Sequence, residues 1–203
     1  MKLQRSFFKR DTIVVAKDLL GKVLVRKIGK KEIRAIIVET EAYIGEEDQA
    51  CHARFGRTKR NGVMYGKAGG AYVYLCYGIH ELLNIVTEKE GFPAAVLVRG
   101  VKIGSFAGQV PNGGALQERK LPVALANPLL GILPCRNRLG PGKLTKYLHI
   151  TRKLNKEDLT KSTKLWVENF GLKIKKLQIK SAKRIGVSYA GKWAKKKWRF
   201  FIE

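Results

Sequence analysis

At 203 residues with 45% apolar content, the chain is long enough to bury a core and short enough for one domain, expected to run 1–203 with a basic leader over residues 1–10. Forty-one Lys and Arg against sixteen Asp and Glu give a formal charge of +25, which points to a polyanion as partner; with no basic amphipathic helix in view, nucleic acid is favoured over an anionic membrane. Met1-Lys2-Leu3-Gln4-Arg5 lacks the apolar stretch of a signal peptide, no run approaches the ~18 apolar residues of a membrane span, and Cys51, Cys76 and Cys135 lack the spacing of a disulfide framework or a thiolate zinc site.

Asp11-Thr12 is read as the cap of a short helix, with Ile13, Val15, Ala16, Leu19 and Leu20 at helical spacing before Gly21. Lys22 to Lys27 alternates like a strand, and Gly29-Lys30-Lys31 is a plausible hairpin turn into Ala35-Ile36-Ile37-Val38-Glu39-Thr40-Glu41-Ala42-Tyr43-Ile44. Two-residue alternation places Ile37, Glu39, Glu41 and Tyr43 on one face of that strand. Carboxylates on an otherwise apolar strand are costly to bury unless paired, so the pair is either a chemical site or an edge facing water and lysines.

Residues 45–70 hold six glycines with Arg54, Arg57, Lys59, Arg60, Lys67 and His52. This long connection suits phosphates, although it matches neither a P-loop nor a dinucleotide fingerprint. Ala71-Tyr72-Val73-Tyr74-Leu75-Cys76-Tyr77-Gly78 is an aromatic strand reaching a turn, with Tyr72, Tyr74 and Cys76 on one face and Leu82 to Thr87 returning as its partner. Tyrosines there also have an ordinary packing explanation. Ala94 to Arg99 reads as a buried strand ending in a cation, 102–115 as loop and 116–133 as ambiguous. Leu139 to Leu144 turns into a short helix whose Lys143 suits a phosphate. From Lys164 to Arg199 the chain is strongly basic, with alternation at Leu172-Lys173-Ile174 and Trp198 to Ile202.

A glutamate beside aromatics in a basic chain without a metal motif suits work on a nucleobase, which must leave the helix, stack between π faces and have its gap filled. A group such as Glu41 can take a proton from water attacking the sugar C1′ and stabilise the cationic sugar that forms as the base departs. Glu39-Thr40-Glu41-Ala42-Tyr43-Ile44-Gly45 with Asp48 and His52, then Arg60-Asn61, Tyr72-Val73-Tyr74, Tyr77-Gly78 and Asn84, closely resembles the alkyladenine (3-methyladenine) DNA glycosylases of the methylpurine-DNA glycosylase type. The likeness continues through Leu97-Val98-Arg99, Gly140-Pro141-Gly142-Lys143-Leu144, Arg184-Ile185-Gly186-Val187, Ala190-Gly191 and Trp193-Ala194.

The resemblance implies an α+β fold, a single compact domain on a curved, mostly antiparallel β-sheet with surrounding helices and a protruding β-hairpin. It implies a monofunctional glycosylase of base excision repair that needs no cofactor or metal and acts as a monomer on double-stranded DNA carrying a damaged purine, leaving an abasic site for a downstream endonuclease. Its substrates would be 3-methyladenine and 7-methylguanine, with the neutral hypoxanthine and 1,N6-ethenoadenine needing protonation first. Glu41 is then the base that activates water, positioned by Arg99 and the Val187 carbonyl, and Glu39 is supporting. Tyr43 would stack on one side of the flipped base and His52 with Tyr74 on the other, backbone groups near Ala50 would read its edge, and Asn84 on the floor would disfavour a 2-amino group. Tyr77 would be the wedge, and Arg57, Arg60, Lys67 and Lys143 backbone contacts. The chain has Ile79-His80 after the wedge, where vertebrate members resemble Met-Tyr. A cytoplasmic, nucleoid-associated place is expected in a bacterium, a nuclear one in a eukaryote. The rivals are a non-catalytic DNA-binding protein on the same scaffold and a metal-dependent nuclease using Glu39, Glu41, Asp48 and His52.

Overall fold

The structure, a computed structural model, describes residues 1–103, 138–171 and 178–202. Most of the loop expected at 102–115, the stretch 116–133, Cys135 and the strand expected at 172–174 lie outside the described residues. Helices α1 (Arg5–Phe8) and α2 (Thr12–Asp18) come first. Asp11 caps α2 by accepting the Val14 N–H at 2.9 Å, as its side chain and position predict. The residues read as a leader are folded in: Leu3 donates its N–H to the Val167 carbonyl at 2.8 Å, Lys2 bridges to Glu168, and Phe8 is fully buried.

Strands β1 (Val23–Ile28) and β2 (Lys31–Ile44) form the expected hairpin over Gly29-Lys30. β3 (Ala71–Cys76) and β4 (His80–Val86) form a second, and β5 (Ala94–Lys102), β6 (Arg138–Leu139), helix α3 (Pro141–Tyr147), β7 (Leu165–Glu168), β8 (Lys180–Ala182) and β9 (Arg199–Phe201) follow. The sheet runs β3-β4-β5-β2-β1-β7, with β6 beside β5, β9 beside β2 and β8 beside β9; every pairing among the described residues is antiparallel. It curls into half a barrel, and α2 packs against β2, β5 and β9, where the Thr40 hydroxyl donates to the Ala16 carbonyl at 2.8 Å. Val15, Leu19, Leu24, Ile37, Val98 and Leu144 are all at 0% exposure in this core. Each such side chain contributes roughly 1.5–3 kcal/mol over leaving it in water. The result is the single α+β domain that the sequence suggests.

The expected alternation in β2 fails at one point. Two register shifts interrupt the β2–β5 pairing: Val38 is extra between Ile37 and Glu39, and Arg99 is extra between Val98 and Gly100. Ile37 and Val38 consequently both pack in the core, and Ile37 does not share the face of Glu39, Glu41 and Tyr43. The same irregularity corrects the reading of Arg99, which lies within β5 rather than at its end, with its side chain only 16% exposed and aimed at the two glutamates.

Candidate active site

Below the shift, Glu41 is at 0% exposure. Its Oε2 accepts the Tyr43 hydroxyl at 2.9 Å, and its Oε1 accepts the Ile185 backbone N–H at 2.9 Å and lies 3.3 Å from Arg99 Nε. Burial pushes the Glu41 carboxyl above the usual glutamate range, while Arg99, the Ile185 N–H and the Tyr43 hydroxyl pull it back, and Glu39 adds to the rise. A raised, desolvated carboxyl next to a fixed cation is suited to accepting a proton. Glu39 contacts Arg99 at 3.6 Å, Arg199 at 2.7 Å and Arg138, so Arg99 is held between two carboxylates.

Asp48 supports the other side. Its Oδ2 and Oδ1 accept from Arg184 at 2.6 and 2.8 Å with both groups fully buried, and Arg184 also donates to the Ala42 carbonyl at 2.8 Å. Removing one partner of such a buried pair typically costs about 3–5 kcal/mol. The Arg184 guanidinium lies 4.9 Å from the centre of the Tyr43 ring, backing that ring with a cation. The pair therefore fixes Tyr43 and brings the 185–187 segment over Glu41. It also argues against the nuclease reading, because Asp48 is committed to Arg184 and His52 turns Nδ1 to the Tyr72 hydroxyl at 2.8 Å.

Tyr43, Ala50, His52, Tyr74, Asn84, Arg99 and Val187 border one cavity of about 590 Å³. His52 meets Tyr74 edge to face at 4.5 Å between ring centres. Asn61 holds that turn by donating to the His52 and Gly56 carbonyls at 2.8 and 2.9 Å. Burial, helped by Arg60 and Arg54, drops the His52 imidazole to about 4, which leaves it neutral at neutral pH. Asn84 is buried and donates to the Tyr72 carbonyl at 3.3 Å. At the cavity's edge the β3–β4 hairpin ends in Tyr77, 85% exposed with φ 50, followed by Gly78 at φ 74.

An aromatic cavity lined by Asn84, backed by a buried carboxylate and edged by an exposed tyrosine accompanies a matching sequence pattern. The family described as methylpurine-DNA glycosylase matches residues 6–203. The chain belongs to the methylpurine-DNA glycosylase family. Its relatives include proteins carrying the provisional name 3-methyladenine DNA glycosylase. One, from Methanocella arvoryzae, is 47% identical over 98% of this chain and 91% of its own length. Another, from an Anaeromyxobacter strain, is 45% identical over 100% and 90%. A third, from Rickettsia bellii, is 41% identical over 98% and 92%.

As a methylpurine-DNA glycosylase the protein is a DNA repair enzyme that acts on methylated purines in DNA. The residues singled out in the sequence are not all at its cavity. Glu41 lies behind the wall rather than on it. Arg60 borders the cavity, leaning over the Tyr74 ring at 5.3 Å. Arg57 and Lys67 instead line a separate hollow with Arg5, Lys59 and Lys156, while Lys143 is exposed beside the cavity-edge residues Pro141 and Gly142. Sequence reasoning gave no role to Tyr72, Arg138, Ile185 or Arg199. Tyr72 was signalled by its two-residue spacing from Tyr74; the Ile185 N–H and the two arginines had no local signal, since they act on residues 99 to 160 positions away.

Proposed function

We propose that the protein is a monofunctional glycosylase that hydrolyses the N-glycosidic bond of 3-methyladenine and 7-methylguanine with water activated by Glu41. The flipped purine stacks between Tyr43 and the His52–Tyr74 pair, Asn84 disfavours a 2-amino group, and Tyr77 fills the vacated gap. The C1′–N bond breaks with its electron pair leaving on the base, which a methylated cationic purine accepts readily; water then adds to C1′ and Glu41 takes its proton. Arg99 and the Val187 carbonyl orient that water, which reaches the carboxylate when the Ile185–Val187 segment yields. Hypoxanthine and ethenoadenine, being neutral, leave more slowly because they must first be protonated. The enzyme works as a monomer and passes an abasic site to an endonuclease.

The observation that carries this reading is the buried Glu41 carboxylate fixed by Arg99, Tyr43 and the Ile185 N–H directly behind an aromatic cavity. A neutral His52 supports it, since an imidazolium would repel a cationic purine. The test is release of free base from methylated duplex DNA in EDTA, with Glu41→Gln expected to be at least about a hundredfold slower than wild type. Equal rates would remove Glu41 from the mechanism, and a borohydride-trapped enzyme–DNA adduct would remove water as the nucleophile. DNA binding without release by the wild type would favour the non-catalytic reading.

A further inference from the structure

We propose that Phe55, Arg54 and Tyr189 form a stacking platform for an unstacked nucleobase at the lip of the cavity, separate from the wedge at Tyr77. The proposal rests on DNA being the partner. Phe55 is 80% exposed and Tyr189 61%, and a single exposed ring would need no explanation. These two are joined through one cation: the Arg54 guanidinium lies 4.6 Å from the centre of the Phe55 ring and 4.9 Å from that of Tyr189. Arg54 is itself held by donating to the Gln49 carbonyl at 3.2 Å.

The platform is built rather than loose. Phe55 closes the 3₁₀ turn His52–Phe55, which Asn61 ties at His52 and Gly56, so the same bonds that set His52 also project Phe55 outward. Tyr189 lies at the start of the 3₁₀ segment Ser188–Lys195, directly after Val187. Arg54 and Tyr189 belong both to the cavity wall and to an adjoining hollow of about 480 Å³, which makes the platform continuous with the base pocket. Aromatic faces interleaved with guanidinium planes are what single strands stack their bases on, whereas phosphates alone would be served by the cation without the rings. The occupant is thus a base that has left the helix, held beside the pocket.

Binding of a short thymidine oligomer and of an equal-length abasic oligomer separates base stacking from phosphate attraction. The wild type is expected to prefer the base-bearing strand. Phe55→Ala and Tyr189→Ala should each weaken its binding about tenfold with little change for the abasic strand, and Phe55→Trp should retain the preference. Equal binding of both oligomers by the wild type, or an equal loss for both in Phe55→Ala, would overturn the platform. Base release from duplex at saturating enzyme should be unchanged in Phe55→Ala; if that variant is misfolded, retention or loss of the preference in Phe55→Trp decides. Should the wild type release no base from any duplex, the catalytic reading fails, yet the comparison of the two oligomers still decides the platform.

Discussion

With its carboxyl raised by burial, Glu41 holds a proton more tightly in the folded chain than in the unfolded one. The stability that this lends is fully present below the unfolded value and is lost as pH rises through the folded one, so at neutral pH the ionised side chain opposes folding. Glu41→Gln is therefore expected to melt above wild type near pH 8, with the gap narrowing towards about pH 4; thermal melts across that range check it. His52 has the opposite sense. Its folded value is lowered to about 4, so the unfolded chain takes up the proton first and stability falls as pH drops from about 6.5 towards about 4. His52→Gln should lose less stability than wild type between about pH 7 and 5, by on the order of 1 kcal/mol, measurable by denaturant titration at the two pH values.

The β3–β4 hairpin shows an element shaped against its own preference. Ile79 donates its N–H to the Cys76 carbonyl at 3.1 Å across Tyr77 and Gly78, both at positive φ, a turn that favours Asn-Gly. A tyrosine in the left-handed region costs about 1 kcal/mol or more. Tyr77→Asn is accordingly expected to raise stability by about that amount while base release from duplex DNA falls, and parallel melting and single-turnover assays would show the two moving in opposite directions. A variant less stable than wild type would remove strain from the account of the tip. The hairpin was legible in the sequence because alternation and the Tyr-Gly turn are local. So were α2 with its Asp11 cap and the shared face of Glu39, Glu41 and Tyr43. The register shifts at Val38 and Arg99 were not, because a shift exists only relative to a partner strand and neither residue type marks it. The Arg184–Asp48 pair was hidden similarly: its members are 136 positions apart, and nothing near either one names the other.

Among the described residues the acids of the site are buried, while others such as Asp18, Glu46, Glu47 and Glu90 are exposed. Glu39, Glu41 and Asp48 are buried against arginines, whereas Lys59, Lys67, Lys143, Lys192 and Lys195 are exposed. Binding to undamaged duplex should therefore be dominated by counterion release, falling about a thousandfold or more between roughly 50 and 200 mM salt. Lys143→Ala is expected to reduce the slope of log affinity against log salt by about 1, while Tyr77→Asn leaves the slope unchanged. Salt titrations of both variants check this, and an unaltered slope in Lys143→Ala would take that lysine off the phosphate path.

The support of Glu41 is also spread along the direction of synthesis. Glu41 waits for an N–H donor 144 residues downstream, and Glu39 for an arginine 160 residues downstream. A ribosome delivers β2 and the Tyr77 hairpin long before either donor has emerged. Translation thus supplies Tyr43 and Arg99 early and the Ile185 N–H and Arg199 last, so the full set of partners around the two carboxylates can close only after that C-terminal stretch has emerged.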